Sequence, residues 1–252
     1  MQHSAPPISI TTYNVKPPTL SKVTCDDPIH PKLDNHPLWK TCNRSFFALV
    51  LGRPGTGKST FIKQAIIDKR MLNKCFERVY IVIPENSMQS FGENNKLAEL
   101  PDDQIYNHLT LPILREIYDK VKENRENGWR SLIIFDDVQG QLKGACEKLL
   151  LEMAANRRHQ RLSMMITAQN YKRVPRDVRL VASDVFSFNM SNGNYNIMYQ
   201  EVINLDKPHF DAVIDTYKHF LKDTKKKSFL YFNLEANVIF IDWNHQLSSD
   251  LF

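Results

Sequence analysis

From Ser45 onward the chain alternates two hydrophobic rhythms. Phe46-Phe47-Ala48-Leu49-Val50-Leu51 is an unbroken apolar run, as a strand buried on both faces requires. Runs of the same kind recur at Val79–Ile83, Leu132–Phe135, Met164–Thr167 and Val185–Phe188. Between them apolar residues fall at helical spacing: Phe61, Ile62, Ala65 and Ile66, then Ile113, Ile117 and Val121, then Leu149, Leu150 and Met153. Strands alternating with helices predict an α/β fold with a central, mostly parallel sheet and helices on both faces. A further helix is predicted around Phe210, Val213, Ile214, Tyr217 and Leu221. Phe229–Phe232 and Val238–Asp242, joined by a turn at Asn233–Asn237, predict a β-hairpin at the sheet edge.

Residues 1–44 break this pattern. They hold seven of the thirteen prolines, each of which removes a backbone donor and pushes its predecessor to extended geometry. The stretch reads as an extended N-terminal arm, separate from a single domain over 45–252. Leu38-Trp39 is its one apolar anchor, suited to docking on the domain or on a neighbouring subunit. Residues 1–20 read equally well as a loose tail.

Composition narrows the class only a little. With 42% hydrophobic and 24% charged residues, the 252-residue chain has enough apolar surface for one sizeable core. The net charge of +5 is compatible with a nucleic-acid partner without establishing one. Cys25, Cys42, Cys75 and Cys146 are widely separated, which suggests free thiols in place of a disulfide framework or a zinc site. No apolar stretch has the length of a signal peptide core or a membrane span, so a soluble intracellular protein is expected.

The chemistry begins where the first strand ends. Gly52-Arg53-Pro54-Gly55-Thr56-Gly57-Lys58-Ser59 fits G-x-x-x-x-G-K-[ST], with a strand before it and an amphipathic helix after it. Three of the chain's eight glycines fall within these six positions, 52 to 57. They let the loop take positive φ, so that backbone N–H groups surround a phosphate at a helix N-terminus. Gly52, Pro54, Gly55, Thr56, Gly57, Lys58, Ser59 and Thr60 are the expected nucleotide-binding set. Lys58 would contact the β- and γ-phosphates of ATP, and Ser59 would offer its hydroxyl to Mg²⁺.

A second motif separates the nucleotide-binding classes. Ser131-Leu132-Ile133-Ile134-Phe135-Asp136-Asp137 is an apolar strand ending in two carboxylates. Asp136 is placed to hold Mg²⁺ as a Walker B aspartate does. Asp137 would face the γ-phosphate and orient the attacking water, although adjacent acids also serve as helix caps. The absence of N-K-x-D counts against a GTPase, and this second acid-tipped strand counts against a small nucleotide kinase. In the third motif, Asn156-Arg157-Arg158-His159-Gln160-Arg161 feeds a short apolar strand that stops at Gln169. A glutamine at that tip can hydrogen-bond a γ-phosphate or its water, or be a plain loop residue.

Taken in order, these three segments resemble the genome-packaging ATPases of large DNA viruses and virophages, the poxvirus-type branch of the FtsK–HerA superfamily. The likeness continues through Val174-Pro175-Arg176-Asp177-Val178-Arg179, Asp184–Phe188 and Lys227–Phe232, and covers about residues 45–242. It implies a RecA-like ATPase domain that assembles as a ring, a hexamer, and pumps double-stranded DNA into a preformed capsid. It also implies ATP and Mg²⁺ as cofactors, and a capsid or inner-membrane component as partner. The expected place is the host cell cytoplasm at the virus assembly site, and the virion. In such motors a sensor strand lies between the P-loop and Walker B strands, which would set Gln169 beside Lys58 and Asp137. Cellular relatives carry an arginine finger eleven residues before the sensor glutamine, and Arg158 stands there. This chain departs from many of them in having Asp137 where they carry glutamate.

The DNA contact is less marked. Arg157, Arg158, Arg161, Lys172, Arg173, Arg176 and Arg179 face one acid, Asp177, within that span, and Lys222, Lys225, Lys226 and Lys227 form a second basic cluster. Such runs supply sequence-blind phosphate contacts, or are solvated surface. The competing functions are a P-loop helicase or segregation motor, and a nucleotide-gated DNA or capsid assembly factor without turnover.

Overall fold

The computed structural model describes residues 45–68, 71–88, 99–224, 227–242 and 245–247, so the arm at 1–44, with Trp39, lies outside the described residues. β1 (Phe47–Gly52) is central and pairs in parallel with β5 (Leu162–Ala168) on one side and β6 (Asp184–Phe188) on the other. Beyond β5 come β4 (Ser131–Phe135), β2 (Arg78–Val82) and the two-residue β3 (Ile105–Tyr106), all parallel. Beyond β6 the direction reverses through β7 (Leu230–Asn233), β8 (Val238–Ile241) and β9 (His245–Gln246). The strand order is β3-β2-β4-β5-β1-β6-β7-β8-β9. The expected hairpin is β7–β8, but the short β9 pairs outside it and forms the true edge.

Both faces of the sheet are covered, which explains the unbroken apolar runs. Phe47, Leu49 and Leu51 join a cluster with residues of α3 (Leu111–Glu126), α4 (Glu147–Ala155), α6 (Asn192–Val202) and α7 (Lys207–Thr224). Phe46, Ala48 and Val50 turn the other way, toward Phe61, Ile62 and Ala65 of α1 (Lys58–Ile67). Alternate side chains therefore enter different cores. Truncating the fully buried Leu49 to alanine would cost about 2–5 kcal/mol.

The helices form for local reasons as well. α3 starts at Thr110, whose side chain accepts from Ile113 N at 3.4 Å, has a proline in its first turn, and buries Leu114, Ile117 and Val121. α2 (Glu85–Met88) and α5 (Arg176–Leu180) are single turns. Because β1, β2, β4, β5 and β6 run the same way, their C-terminal ends share one edge, where loops converge on a ligand in such sheets.

Candidate active site

The phosphate loop leaves β1 through Gly52 and enters α1 at Gly57. A Cβ at Gly52 would stand 2.4 Å from the Phe188 carbonyl oxygen and 2.8 Å from Thr56 Oγ1, so only glycine fits between β1 and β6. Gly57, with φ 113°, is the left-handed N-cap of α1, and this conformation aims the first helical N–H groups out of the sheet edge. Thr56 Oγ1 donates to Arg53 O at 2.8 Å and braces the loop. Lys58 folds back along it, donating to Gly52 O at 2.8 Å and Arg53 O at 3.1 Å. Burial pulls its ammonium below the usual lysine range, against the attraction of Asp136 and Asp137.

Asp136 follows β4 and is almost fully buried. Thr167 Oγ1 donates to its Oδ1 at 2.6 Å, and Ser59 Oγ to its Oδ2 at 3.1 Å. Burial pushes the carboxyl above the usual aspartate range, and Asp137 adds to this while the two hydroxyls and Lys58 oppose it. Asp137 has left-handed backbone, φ 56°, which turns its side chain into the cleft. Its N–H donates to Thr167 Oγ1 at 3.0 Å, and its Oδ2 accepts from Ser87 Oγ at 2.8 Å. Thr167 thus ties the two acids to β5.

Gln169 lies one residue past β5, which runs between β1 and β4. Its N–H donates to Gln139 Oε1 at 2.9 Å. A cleft of ≈ 260 Å³ is lined by Lys58, Ser59, Asp136, Asp137 and Gln169, with Ser87 on its far wall. The structure therefore brings together the loop, both acids and the glutamine.

It does not bring Arg158 to them. Arg158 precedes β5, at the opposite end of the sheet, where Nη2 donates to Glu235 Oε1 at 2.6 Å. The other two arginines of the Asn156–Arg161 segment are occupied in the fold. Arg157 is buried and donates to Ala154 O, Val181 O and Glu235 Oε1, and Arg161 donates to Gly128 O at 2.7 Å. Arg179 is also buried, in a two-pronged pair with Glu201 at 2.7 Å for each contact. The basic run from Arg157 to Arg179 is therefore not one face. Lys172, Arg173 and Arg176 remain exposed, with Arg176 lying 3.5 Å from Glu201.

Thr167, Ser87 and Gln139 were missed as site residues in the sequence. Thr167 had a signal, as the one hydroxyl in the run Met164–Ala168. Ser87 sits in the single turn α2 and Gln139 in the turn after β4, and their approach depends on the neighbouring strand ends.

Residues 38–242 match the profile of the family described as Poxvirus A32 protein. The chain belongs to the Poxvirus A32 protein family. The match begins inside the arm and takes in Leu38 and Trp39. Uncharacterized protein 015R of Frog virus 3 (isolate Goorha) is 28% identical over 151 residues, which cover 58% of this chain and 45% of that protein. The chain thus spans less than half the length of this relative. The genome packaging NTPase B204 from Sulfolobus turreted icosahedral virus 2, in complex with AMP, has a TM-score of 0.55 at 17% identity over 79% of this chain and 96% of that one. Its complex with ATP-gammaS gives 0.54 at 18% identity, over 78% and 96%. These likenesses establish a shared mixed α/β fold for the Poxvirus A32 family chain. Among the described residues, no helix is long and apolar enough to cross a membrane.

Proposed function

We propose that this Poxvirus A32 family protein is an ATP-driven motor that moves double-stranded DNA into a preformed viral capsid, working as a ring of identical subunits in the host cytoplasm. The observation that carries the reading is the convergence of Lys58, Ser59, Asp136, Asp137 and Gln169 on one cleft. The family match, and the fold shared with a genome packaging NTPase, direct that hydrolytic site toward packaging.

The loop N–H groups and Lys58 would bind the phosphates, and Asp137 would take the hydrogen bond of the attacking water and hold it in line. Gln169 would sense the γ-phosphate from the adjacent strand, and Arg158 would serve a neighbouring subunit's nucleotide. Ser59 and Asp136 suit Mg²⁺: both are oxygen donors, 3.1 Å apart, and the carboxylate is buried with two hydroxyls steering it. The ion, when bound, neutralises phosphate charge. Among the described residues no cluster of three or more His, Cys, Asp or Glu offers a protein-only metal site, and a phosphate-bound Mg²⁺ needs none.

The test is ATP hydrolysis with and without long duplex DNA. Stimulation should be indifferent to sequence and should fall steeply as salt rises, because phosphate neutralisation releases counterions. Hydrolysis that no duplex stimulates would overturn the motor and leave an NTPase of another kind.

A further inference from the structure

Two of the clefts that border the phosphate loop share Gly55, Lys58 and Ser59. One carries Asp136, Asp137 and Gln169. The other, of ≈ 420 Å³, opens past Gly57, Thr60, Lys63 and Lys227, and among the described residues no acidic side chain lines it. A phosphate chain with its γ-end at Asp137 and Gln169 must leave the loop on the side away from them. The second cleft is therefore where an α-phosphate and sugar would lie.

Lys227 comes to this place from far along the chain. Its Cδ stands 3.7 Å from the position a Cβ would take at Gly57. The backbone that carries it is held firmly. Ser228 O accepts from Tyr217 OH at 2.7 Å, Phe229 N donates to Asp242 Oδ1 at 3.0 Å, and the Phe229 ring packs on Phe188 and Phe61 with centroids 5.4 and 5.2 Å apart. The Lys227 side chain is exposed, and its ammonium has no ion pair among the described residues. By sequence it belongs to the basic run with Lys222, Lys225 and Lys226, suited to a DNA surface or to solvent. In space it flanks the N-terminus of α1.

We propose that Lys227 is a nucleotide-binding residue outside the phosphate loop, its ammonium pairing with the α-phosphate of the bound nucleoside di- or triphosphate. This rests on the reading of the loop as a nucleotide site. A cation at the open end of the phosphate chain complements the loop N–H groups, which surround its middle. The contact is the same before and during hydrolysis, so it contributes to affinity and leaves the chemical step alone.

The experiment measures Kd for ADP and for a non-hydrolysable ATP analogue on the full chain without DNA, followed by KM and kcat for ATP. Lys227→Ala should weaken both ligands about tenfold, the loss of one charge-assisted contact at an exposed site. KM should rise while kcat at saturating ATP stays, and Lys227→Arg should restore most of the affinity. Lys148→Ala, which removes an equal charge from an exposed position on α4, should leave Kd unchanged and so exclude a net-charge effect. Wild-type affinity in Lys227→Ala, or an equal loss in Lys148→Ala, overturns the assignment. Wild-type protein that binds neither ligand would instead sink the nucleotide reading itself.

Discussion

Replacing Asp137 by asparagine isolates the water-orienting step. Asp137 holds φ 56°, a left-handed conformation that asparagine and aspartate enter at less cost than other side chains. Asp137→Asn therefore keeps the backbone, whereas alanine or glutamate would add about 1 kcal/mol of strain there. The Asn carbonyl can take over the hydrogen bond that Oδ2 now accepts from Ser87 Oγ at 2.8 Å. That leaves the amide NH₂, a donor, where a carboxylate oxygen could accept from water. The proton acceptor is lost and almost nothing else changes. Loss of a positioned base costs about 10²–10⁴ in rate, or roughly 2.7–5.5 kcal/mol of barrier. Lys58 keeps its partners on Gly52 O and Arg53 O and its attraction to Asp136, so nucleotide affinity should hold. Single-turnover phosphate release at saturating ATP, beside a direct Kd measurement, checks both halves. Release at near the wild-type rate would refute the assignment of Asp137, and lost binding would show that the substitution disturbed the loop.

Three further outcomes are expected. Burial raises the Asp136 carboxyl, so nucleotide-free stability should fall as pH rises from its ordinary 3.8 through the raised value, and Asp136→Asn should melt higher than wild type at neutral pH; calorimetry showing no gain would contradict this. Arg158→Ala protomers mixed with Lys58→Ala protomers should regain hydrolysis that neither has alone, since a trans arginine is worth about 10³–10⁵ in rate; subunit exchange without recovery would exclude that role. Reversing Arg173 and Arg176 together should make the log–log salt dependence of duplex binding shallower by about two, and an unchanged slope would move the DNA path elsewhere.

Much of this site was legible because its parts are strand ends. A strand buried on both faces must read as an apolar run, and in a parallel sheet its C-terminal residues point to one edge, so Gly52, Asp136 and Gln169 could be aligned from β1, β4 and β5 alone. α6 was not legible. Its sequence NGNYNIMYQEV is polar and carries Gly193, and it depends on the Ser191 cap and on burying Tyr195 and Met198. β3 and β9 pair over two residues each, too short for any alternation to register. The approach of Lys227 to Gly57 was not legible for a different reason: a run of lysines looks uniform along the chain, and only the fold brings the start of β7 beside the loop.

The paired charges at the far end of the sheet distinguish the arginines that local sequence left equivalent. A residue that serves another subunit must be free to leave its own. Arg157 cannot, because its guanidinium is buried and held by two backbone carbonyls as well as by Glu235, and withdrawing it would strand those acceptors. Arg161 is tied to Gly128 O and sits in a left-handed turn, φ 49°, that sets up the entry to β5. Among the described residues the Arg158 side chain has one tie, to Glu235, with both side chains more than 40% exposed, and an ion pair so wetted is worth at most about 1 kcal/mol. A triphosphate carries several charges against the single one on Glu235, so it can take Arg158 at small cost while Arg157 keeps the carboxylate in place. Glu235 follows β7, and Lys227 precedes the same strand at the phosphate-loop end. The four residues of β7 at about 3.4 Å each span roughly 14 Å, so in the proposed motor this one strand would link a subunit's own nucleotide to the arginine offered to its neighbour's.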